Sequence, residues 1–590
     1  MKKALFIILL VQFVCCKKPY ENIPPNVIVV LTDDLGIGDL ECHGNPWLKT
    51  PAINAFYHQA VRMTDFHVSP YCTPTRAALM TGLYPINNGA WATFKGRDAL
   101  SEHNITMADV FQQNGYKTGL FGKWHLGDNY PSRPTDSGFD VAVQHMSGGV
   151  GELSDYWGNS YFDDTYFVNN KPVQFEGYCT DVWFNQAMKF IKQNKEKPFF
   201  TYIATNAPHS PLIVDEKYAA PYKQFEGSEI ISANLLGMIA NIDENFGKLY
   251  QFLEDENLME HTILIFMSDN GTNYGYSRDG KLGYNKGYRG IKSNREDGGH
   301  MTPFFIRWPN GKIEGGKDID ELVSHVDLLP TLLNMCDLDA PKKLDVDGID
   351  FSPLLFDKPY DHKDRTVFIH AIQDWRQPSD TKQSCIMKGK WRLVNGKQLY
   401  DIGKDRMQRN NLAAQYPQIV KELLKENHKF LEDTKQRSEY NELPVHIIGS
   451  NKQKETKLTI QHAIGESKGI WKSEHIAAGL KNKNNKHVLK VQKKGEYLIS
   501  CARWPKEASG PILGIPSINP KQLFDYKTIR PEKIRIKIAN QTFEKSIQPS
   551  DESINFKVRL EKGRTILEND FLEGEERYGI YYTYINYLGS

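Results

Sequence analysis

The sequence predicts an α/β fold with a large mixed, mainly parallel sheet sandwiched by helices, a small antiparallel-sheet C-terminal subdomain and a β-rich C-terminal extension. Short apolar runs at residues 27–31, 197–204 and 262–267 alternate with amphipathic helical patterns, which is typical of parallel sheets. Polar residues follow each run at once, as they do where buried parallel strands end. Shorter strand-like runs take over in the C-terminal part of the chain, which favours antiparallel sheets there.

The first unit, residues 1–16, has the pattern of an export signal. Lys2 and Lys3 precede an apolar run that is too short to span a bilayer, and Cys15 and Cys16 follow it. A cysteine at this place resembles the acylated residue of a bacterial lipoprotein, here Cys16. We therefore expect a periplasmic or outer-membrane lipoprotein whose membrane contact is a lipid anchor. An ordinary cleaved signal and a secreted protein are the alternative.

Three further units follow the signal. Residues 22–361 carry the alternating α/β pattern. Residues 362–443 combine short strand-like runs with an amphipathic helical pattern at 416–433, which predicts a small α+β subdomain. Residues 444–590 contain period-two runs such as 533–538, which predict a β-rich, sandwich-like extension.

The composition is that of a globular protein. The chain has 590 residues, of which 40% are hydrophobic and 25% are charged, so it can bury a large core. Its 73 Lys and Arg residues nearly balance 72 Asp and Glu residues. We therefore expect no nucleic-acid partner, because the chain as a whole has no excess positive charge.

Acidic and amide side chains follow two of the predicted strands. Asp33 and Asp34 come after the first strand, and Asp269 and Asn270 come after the third. Each pair alone is more typical of an ordinary turn. Together they would place three carboxylates at one edge of the sheet, an arrangement that is costly without a cation. Oxygen ligands favour Ca²⁺, with Mg²⁺ as the second candidate, over Zn²⁺.

Cys72 stands out among the cysteines because of the residues that follow it. Pro74 suits the first position of a helix, Thr73 suits its N-cap and Gly82 suits its end. This predicts Cys72 just before a helix N-terminus, where backbone N–H groups favour an anion. A buried structural cysteine is the alternative. The remaining cysteines form no CxxC pair, so neither a zinc ribbon nor a dense disulfide framework is indicated.

The run C-x-P-x-R, followed by a helix and T-G, resembles the signature of the type I, formylglycine-dependent sulfatases, bacterial arylsulfatase-like members of the alkaline phosphatase superfamily. Thr75 replaces the more common serine. Further blocks resemble that family in the same order: G-K-W-H-L-G at 122–127, a histidine turn at 206–211 and R-G-x-K at 289–292. The resemblance extends over residues 26–433.

The resemblance implies a sulfuric ester hydrolase whose catalytic domain is residues 22–361. A separate maturation enzyme would oxidise Cys72 to formylglycine, whose hydrated aldehyde would attack sulfur, expel the alcohol and then eliminate sulfate. Carried over position by position, the metal ligands are Asp33, Asp34, Cys72 after oxidation, Asp269 and Asn270.

The resemblance also implies roles for five further residues. Arg76 would hold the formylglycine, and Lys123 would stabilise the charge on the sulfate. Lys292 would share that role and assist the leaving oxygen. His125 would act as the base and His209 as the acid, although these two roles could be exchanged.

Export and clustered aromatic residues, such as Tyr156 and Trp157, favour a sulfated polysaccharide or oligosaccharide as the substrate, with core packing as the alternative role of these rings. Two other functions stay open. A phosphatase or phosphodiesterase of the same superfamily would need a Ser or Thr nucleophile and two zinc ions. A noncatalytic glycan-binding lipoprotein would use the β-rich extension as its binding module.

Overall fold

The computed structural model describes residues 24–378, 382–516 and 524–589. The predicted export signal and Cys16 lie outside the described residues. Among the described helices, none is long and apolar enough to cross a membrane.

A ten-stranded sheet forms the centre of the first region. The strands of this region are, in chain order, β1 (Asn26–Thr32), β2 (Val61–Met63), β3 (Phe66–His67), β4 (Lys117–Lys123), β5 (Val141–His145), β6 (Thr165–Val168), β7 (Lys171–Gln174), β8 (Phe199–Ala204), β9 (Thr262–Ser268), β10 (Phe304–Arg307), β11 (Asp318–Ile319) and β12 (Val323–Ser324). The sheet order is β11-β2-β10-β9-β1-β8-β4-β5-β6-β7, and β3 pairs with β12. The five central strands from β9 to β5 are parallel, whereas β10 and β6 join them antiparallel.

Helices cover both faces of this sheet. They are α1 (Pro51–Gln59), α2 (Cys72–Thr81), α3 (Pro85–Asn88), α4 (Met107–Gln113), α5 (Cys179–Asn194), α6 (Glu216–Ala219), α7 (Ala233–Asp255), α8 (Leu328–Met335) and α9 (Ser352–Leu355). Val27, Val29 and Leu31 of β1 pack with α2, α4 and α8 on one face. Ile28 and Val30 pack with α1, α5 and α7 on the other. A strand buried on both faces must be apolar throughout, which explains the continuous run that begins at residue 27.

The next unit is a four-stranded antiparallel sheet with one long helix. Its elements are β13 (Thr366–His370), β14 (Ser384–Lys388), β15 (Trp391–Val394), β16 (Gln398–Asp401), α10 (Pro417–Thr434) and α11 (Ser438–Asn441). Ile386, Leu393 and Leu399 of the sheet share a small core with Leu423 of α10. The apolar face of this amphipathic helix therefore closes one side of the sheet.

The C-terminal extension is a sandwich of two sheets. Its elements are β17 (His446–Ile448), β18 (Glu455–Thr459), α12 (Ser473–Ala477), β19 (Lys486–Val491), β20 (Gly495–Ala502), β21 (Lys533–Ile538), β22 (Gln541–Ser546), β23 (Ser553–Leu560), β24 (Gly563–Glu573), β25 (Glu576–Gly579) and β26 (Tyr582–Gly589). One sheet has the order β17-β19-β24-β21-β22, with β25 beside β24, and the other has the order β18-β26-β20-β23. Their facing residues, including Tyr497, Ile534 and Phe556, form one core. The predicted fold class is confirmed, while the domain limits at 361 and 443 stay predictions.

Candidate active site

The carboxyl ends of β1 and β9 bring the predicted oxygen ligands together. Thr32 of β1 lies opposite Ser268 of β9, so the residues after each strand leave the sheet at the same level. Asp33, Asp34, Asp269 and Asn270 are all buried. The Asp34 N–H donates to Asp269 Oδ1 at 3.2 Å, and Asn270 Nδ2 donates to Asp34 Oδ1 at 2.7 Å. The structure thus places the four side chains in one cluster.

Helix α2 presents Cys72 to this cluster. The helix begins at Cys72 and its N-cap is Tyr71, so the prediction that Thr73 is the N-cap was wrong. The Thr73 hydroxyl instead donates to the carbonyl of His125 at 3.1 Å, and this contact links the helix to the neighbouring loop. The predicted end of the helix is confirmed, because Gly82 has a left-handed φ of 68° and its N–H donates to Ala78 O.

Arg76 lies one turn further along the same helix and is fully buried. Its Nε and Nη2 atoms donate to Asp269 Oδ2 at 3.0 and 2.7 Å, and its Nη1 atom donates to the Lys123 carbonyl at 3.1 Å. Charge-assisted bonds of this kind are among the strongest in proteins. Arg76 therefore fixes one predicted metal ligand and the end of β4, while a contact with formylglycine stays a prediction.

Two lysines face the cluster from opposite sides. Lys123 Nζ lies 2.7 Å from Asp33 Oδ2, and Lys292 Nζ lies 2.6 Å from Asp34 Oδ1 and 3.5 Å from Cys72 Sγ. Burial by itself lowers the pKa of each lysine, but the paired carboxylate and the other acidic groups nearby together outweigh it and leave the pKa above its ordinary value. Both lysines are therefore cations placed beside residue 72 and its neighbours.

The thiol of Cys72 itself is not activated. Burial, with the adjacent Asp269 and Asp33 carboxylates, raises its pKa above the ordinary value for cysteine. A protonated thiol is a poor nucleophile. An unmodified Cys72 is therefore a poor nucleophile here, and a nucleophile other than a thiolate suits this position better.

His125 lies beside the helix N-terminus in a left-handed conformation, with φ 56°. Its Nε2 atom is 3.3 Å from the Thr93 carbonyl, and its buried Nδ1 atom has no hydrogen-bond partner among the described residues. Burial, with the nearby Lys123 ammonium, holds the pKa of His125 well below its ordinary value. A neutral imidazole with a free nitrogen can accept a proton, as a base must.

His209 lies at the rim of the site, where its side chain is 21% exposed. Its Nδ1 atom is 2.7 Å from the Ser210 carbonyl, so Nδ1 carries the donated proton. Its Nε2 atom is left to face the cluster, 3.8 Å from Asp34 Oδ2. The Tyr161 hydroxyl donates to the His209 carbonyl at 3.0 Å and supports this turn. A partly exposed imidazole at the rim can exchange a proton with the oxygen atom of a leaving group.

The donor set fits a hard cation. Asp34 Oδ2 and Asn270 Oδ1 are buried without a hydrogen-bond partner in the part of the chain that the structure describes, and such atoms are costly unless something binds them. One ligand atom each from Asp33, Asp34, Cys72 and His209 lies within 4.8 Å of the others. His209 was not in the predicted ligand set, while Asp269 and Asn270 stay predicted ligands.

The structure also decides between the two roles left open for several aromatic side chains outside the cluster. Tyr161, Tyr166 and Trp91 are almost fully buried, and the Trp157 ring packs edge-on against Trp504. The rings of Tyr161, Tyr166 and Trp91 are therefore core residues and do not offer a face to a sugar, whereas Trp157 is only partly buried. The cysteines of the described residues are free thiols.

Sequence reasoning missed two parts of the site. The hydrogen bond that supports His209 comes from Tyr161, which the sequence offered only as one aromatic residue among several. The loop that packs on His125 contains Gly148, and a β-carbon there would lie 2.5 Å from His125 Cε1. The glycine-rich run at residues 148–151 is a signal of such close backbone approach.

Comparison with known proteins agrees with this geometry. The sulfatase family profile matches residues 25–338, and the C-terminal profile of N-sulphoglucosamine sulphohydrolase matches residues 295–436. An N-acetylgalactosamine-6-O-sulfatase of Bacteroides thetaiotaomicron is 27% identical over 487 residues, which cover 68% of this chain and 91% of the relative. The uncharacterized sulfatase YdeN of Escherichia coli is 27% identical over 68% of this chain and 84% of its own.

The solved structure of Ps i-CgsB with k-i-k-neocarrahexaose aligns with a TM-score of 0.63 and 26% identity, over 71% of this chain and 95% of that one. The family profile covers more than half of the chain, and the same residues carry the buried cluster around Cys72. The chain therefore belongs to the sulfatase family, as a type I sulfatase of the alkaline phosphatase superfamily that hydrolyses sulfuric esters.

Proposed function

We propose that this sulfatase removes sulfate from a sulfated polysaccharide or oligosaccharide, with formylglycine made from Cys72 and one bound Ca²⁺. The observation that carries the proposal is the position of Cys72. It lies at the N-terminus of α2, 3.4 Å from Asp33 Oδ1 and 3.5 Å from Lys292 Nζ, within the C-x-P-x-R signature.

The saccharide class is supported by two relatives. One is named an N-acetylgalactosamine-6-O-sulfatase, and another was solved with a neocarrahexaose. Both names refer to saccharides, but the sugars differ. We therefore propose the class of substrate and test the sugar with a panel of sulfated glycans.

In the proposed reaction, the lysines of the site stabilise charge and the histidines transfer protons. When bound, a cation would supply positive charge to the sulfate oxygens, and formylglycine at position 72 would supply the nucleophilic hydroxyl. Lys123 and Lys292 hold positive charge where negative charge develops. His125 accepts a proton through its free Nδ1 atom, and His209, in the form that carries a proton on both ring nitrogens, delivers the one on Nε2 to the leaving oxygen.

We propose Ca²⁺ as the metal because the free ligand atoms of Asp34 and Asn270 are oxygens, which hard cations prefer. Elemental analysis of the purified protein is expected to find one Ca²⁺ per chain. Removal of the metal with EDTA should abolish sulfate release, and added Ca²⁺ should restore it. Two Zn²⁺ per chain would instead favour the phosphatase or phosphodiesterase alternative.

We also propose that a maturation enzyme oxidises Cys72 and that the protein is an exported lipoprotein anchored through Cys16. The lipoprotein proposal depends on the sequence pattern of residues 1–16. Radioactive palmitate should label the wild-type protein and should not label a Cys16→Ala variant, which should leave the membrane fraction. Equal labelling of both proteins would contradict the anchor.

The substrate proposal is tested by sulfate release from algal and animal sulfated glycans, with Cys72→Ala as the matched control. We expect the wild-type protein to release sulfate from at least one saccharide and the control to release none. Activity that is confined to small aryl sulfates would contradict the proposal. Glycan binding without turnover by the matured protein would favour the noncatalytic alternative.

A further inference from the structure

The C-terminal extension contacts two loops of the α/β domain beside His125, and a short 3-10 turn, Ile460–His462, makes several of these contacts. Gln461 and His462 of this turn are 3% and 9% exposed. Both family profiles end before this turn, the later of them at residue 436. Its two polar side chains contact two loops of the α/β domain that pack on His125, and we name these the Thr93 loop (residues 93–98) and the Gly148 loop (residues 147–152).

The Thr93 loop is tied to the extension at two points. The Lys95 N–H donates to the Gln461 carbonyl at 3.5 Å, and Asp98 pairs with Nδ1 of His462. The same loop supplies the Thr93 carbonyl, which lies 3.3 Å from His125 Nε2. The extension therefore holds the segment that fixes one nitrogen of the imidazole, while the other nitrogen has no hydrogen-bond partner among the described residues.

The Gly148 loop is tied through Glu152. Its Oε2 atom accepts hydrogen bonds from Ser147 Oγ at 2.9 Å, from the Gly148 N–H at 3.0 Å and from Gln461 Nε2 at 2.7 Å. Gly148 is the residue whose backbone packs directly on the His125 ring. Ser147 and Gly148 belong to the loop itself, so among these three donors the Gln461 amide is the one that ties the loop to the extension.

His462 links the two loops through one carboxylate on each side of its ring. Its Nε2 atom lies 3.3 Å from Asp128 Oδ2, while its Nδ1 atom pairs with Asp98. Asp128 Oδ1 in turn accepts the Ser147 N–H at 3.0 Å. The His462 imidazole therefore lies between two carboxylates. Asp98 belongs to the Thr93 loop, and Asp128 is hydrogen-bonded to the Gly148 loop.

From these contacts we infer that Gln461 and His462 are positioning residues for the sulfatase reaction, because together they hold the two loops that fix the His125 imidazole. The extension is then part of the active-site architecture and is more than an attached module. The inference rests on the proposed role of His125 as the base of the sulfatase reaction.

The test uses charge repulsion and its rescue in the full-length protein. Gln461→Glu places a carboxylate against Glu152, and the double variant Gln461→Glu/Glu152→Gln restores an amide–carboxylate pair with the partners exchanged. Lys490→Glu is the matched control, because it sets a carboxylate against Glu102 across the same interface, where Lys490 now pairs with Glu102. The formylglycine content of each preparation is measured by mass spectrometry and used to normalise kcat.

Two quantities are measured for each protein: kcat and KM on an aryl sulfate, and hydrogen exchange of the amides in residues 145–153. We expect Gln461→Glu to lower kcat about tenfold with a much smaller change in KM, since an ionic repulsion replaces a charge-assisted hydrogen bond. Its amides in the Gly148 loop should exchange faster. The double variant should recover most of both losses, and Lys490→Glu should match the wild type.

The inference is overturned if Gln461→Glu matches the wild type in kcat and in exchange. It is also overturned if Lys490→Glu lowers kcat as much, or if the double variant shows no recovery. Absence of sulfate release from every protein, the wild type included, would instead contradict the sulfatase function, and the exchange measurement would still decide whether Gln461 holds the loop.

Discussion

Each cationic side chain beside Cys72 is matched with one carboxylate. Arg76 pairs with Asp269, Lys123 pairs with Asp33, and Lys292 pairs with Asp34. Burial by itself raises the pKa of Asp33, but Lys123 and the other nearby cations bring it below its ordinary value. The Asp33 carboxylate therefore stays ionised and can serve as a ligand, and loss of its cationic partner would leave a buried charge unpaired.

The Arg76–Asp269 pair gives a stability prediction. Both side chains are fully buried, so Arg76→Ala should lower the free energy of unfolding by about 3–5 kcal/mol, because an unpaired carboxylate remains in the core. Urea unfolding followed by fluorescence measures the change. Arg376→Ala is the control, since Arg376 pairs with Asp374 at the exposed surface, and it should leave the midpoint nearly unchanged. Equal midpoints for both variants would contradict the account of this pair.

The role of His209 gives a second prediction. His209→Ala should lower kcat much more for substrates with poor leaving groups, such as sugar sulfates, than for activated phenyl sulfates, because only a basic leaving oxygen needs the proton. Parallel assays on a series of aryl sulfates with graded phenol pKa values measure this dependence. The same loss across the series would show that His209 is not the acid.

At the residue scale, the sequence was enough to predict that Asp33, Asp34, Asp269 and Asn270 lie together as candidate metal ligands. Residues that directly follow buried parallel strands must lie at one edge of the sheet. It was not enough to find the support of His209. That hydrogen bond comes from Tyr161, 48 positions away, in a segment without a periodic pattern.

At the scale of elements, buried strands were predicted closely and the start of helix α2 was not. The run at residues 27–31 lies within β1 (Asn26–Thr32), because burial on both faces leaves one apolar pattern. Helix α2 begins at Cys72 because the Thr73 hydroxyl donates to a distant carbonyl of His125 and does not cap the helix. A tertiary contact thus overrode a local preference, which no local pattern could reveal.

The turn that carries His462 gives a prediction about pH. Burial by itself lowers the pKa of His462, but Asp98 and Asp128 outweigh it and raise the pKa well above the ordinary 6.5. The folded state therefore binds a proton that the unfolded state loses above about pH 6.5. The resulting stabilisation is complete below that pH and is lost as pH rises through the folded pKa. The neighbouring His446 and His487 have lowered pKa values, so they stay neutral over this range.

The measurement compares the Tm of the wild type with that of His462→Gln from pH 7 to pH 9.5. We expect the wild type to have the higher Tm at pH 7 and its advantage to shrink steadily toward pH 9.5. A constant difference over the range would show that His462 is not charged in the folded protein.

At the scale of the whole molecule, the sequence predicted the order of units and the character of each. The α/β pattern, the small antiparallel sheet and the β-rich extension all follow from periodicity within short windows. The docking of the extension could not be predicted in this way. Its contacts with the active-site loops join residues that are 309 and 364 positions apart, and single polar residues such as Gln461 carry no signal of a distant partner.

The measurement that tests the central claim most directly is mass spectrometry of the peptide that contains residue 72, from protein made in its native host. The account predicts that the thiol of Cys72 is replaced by an aldehyde, because Cys72 lies in the C-x-P-x-R signature and beside the buried carboxylates. An unmodified thiol in that protein would contradict the account, since no residue would then supply the hydroxyl that attacks the sulfate ester.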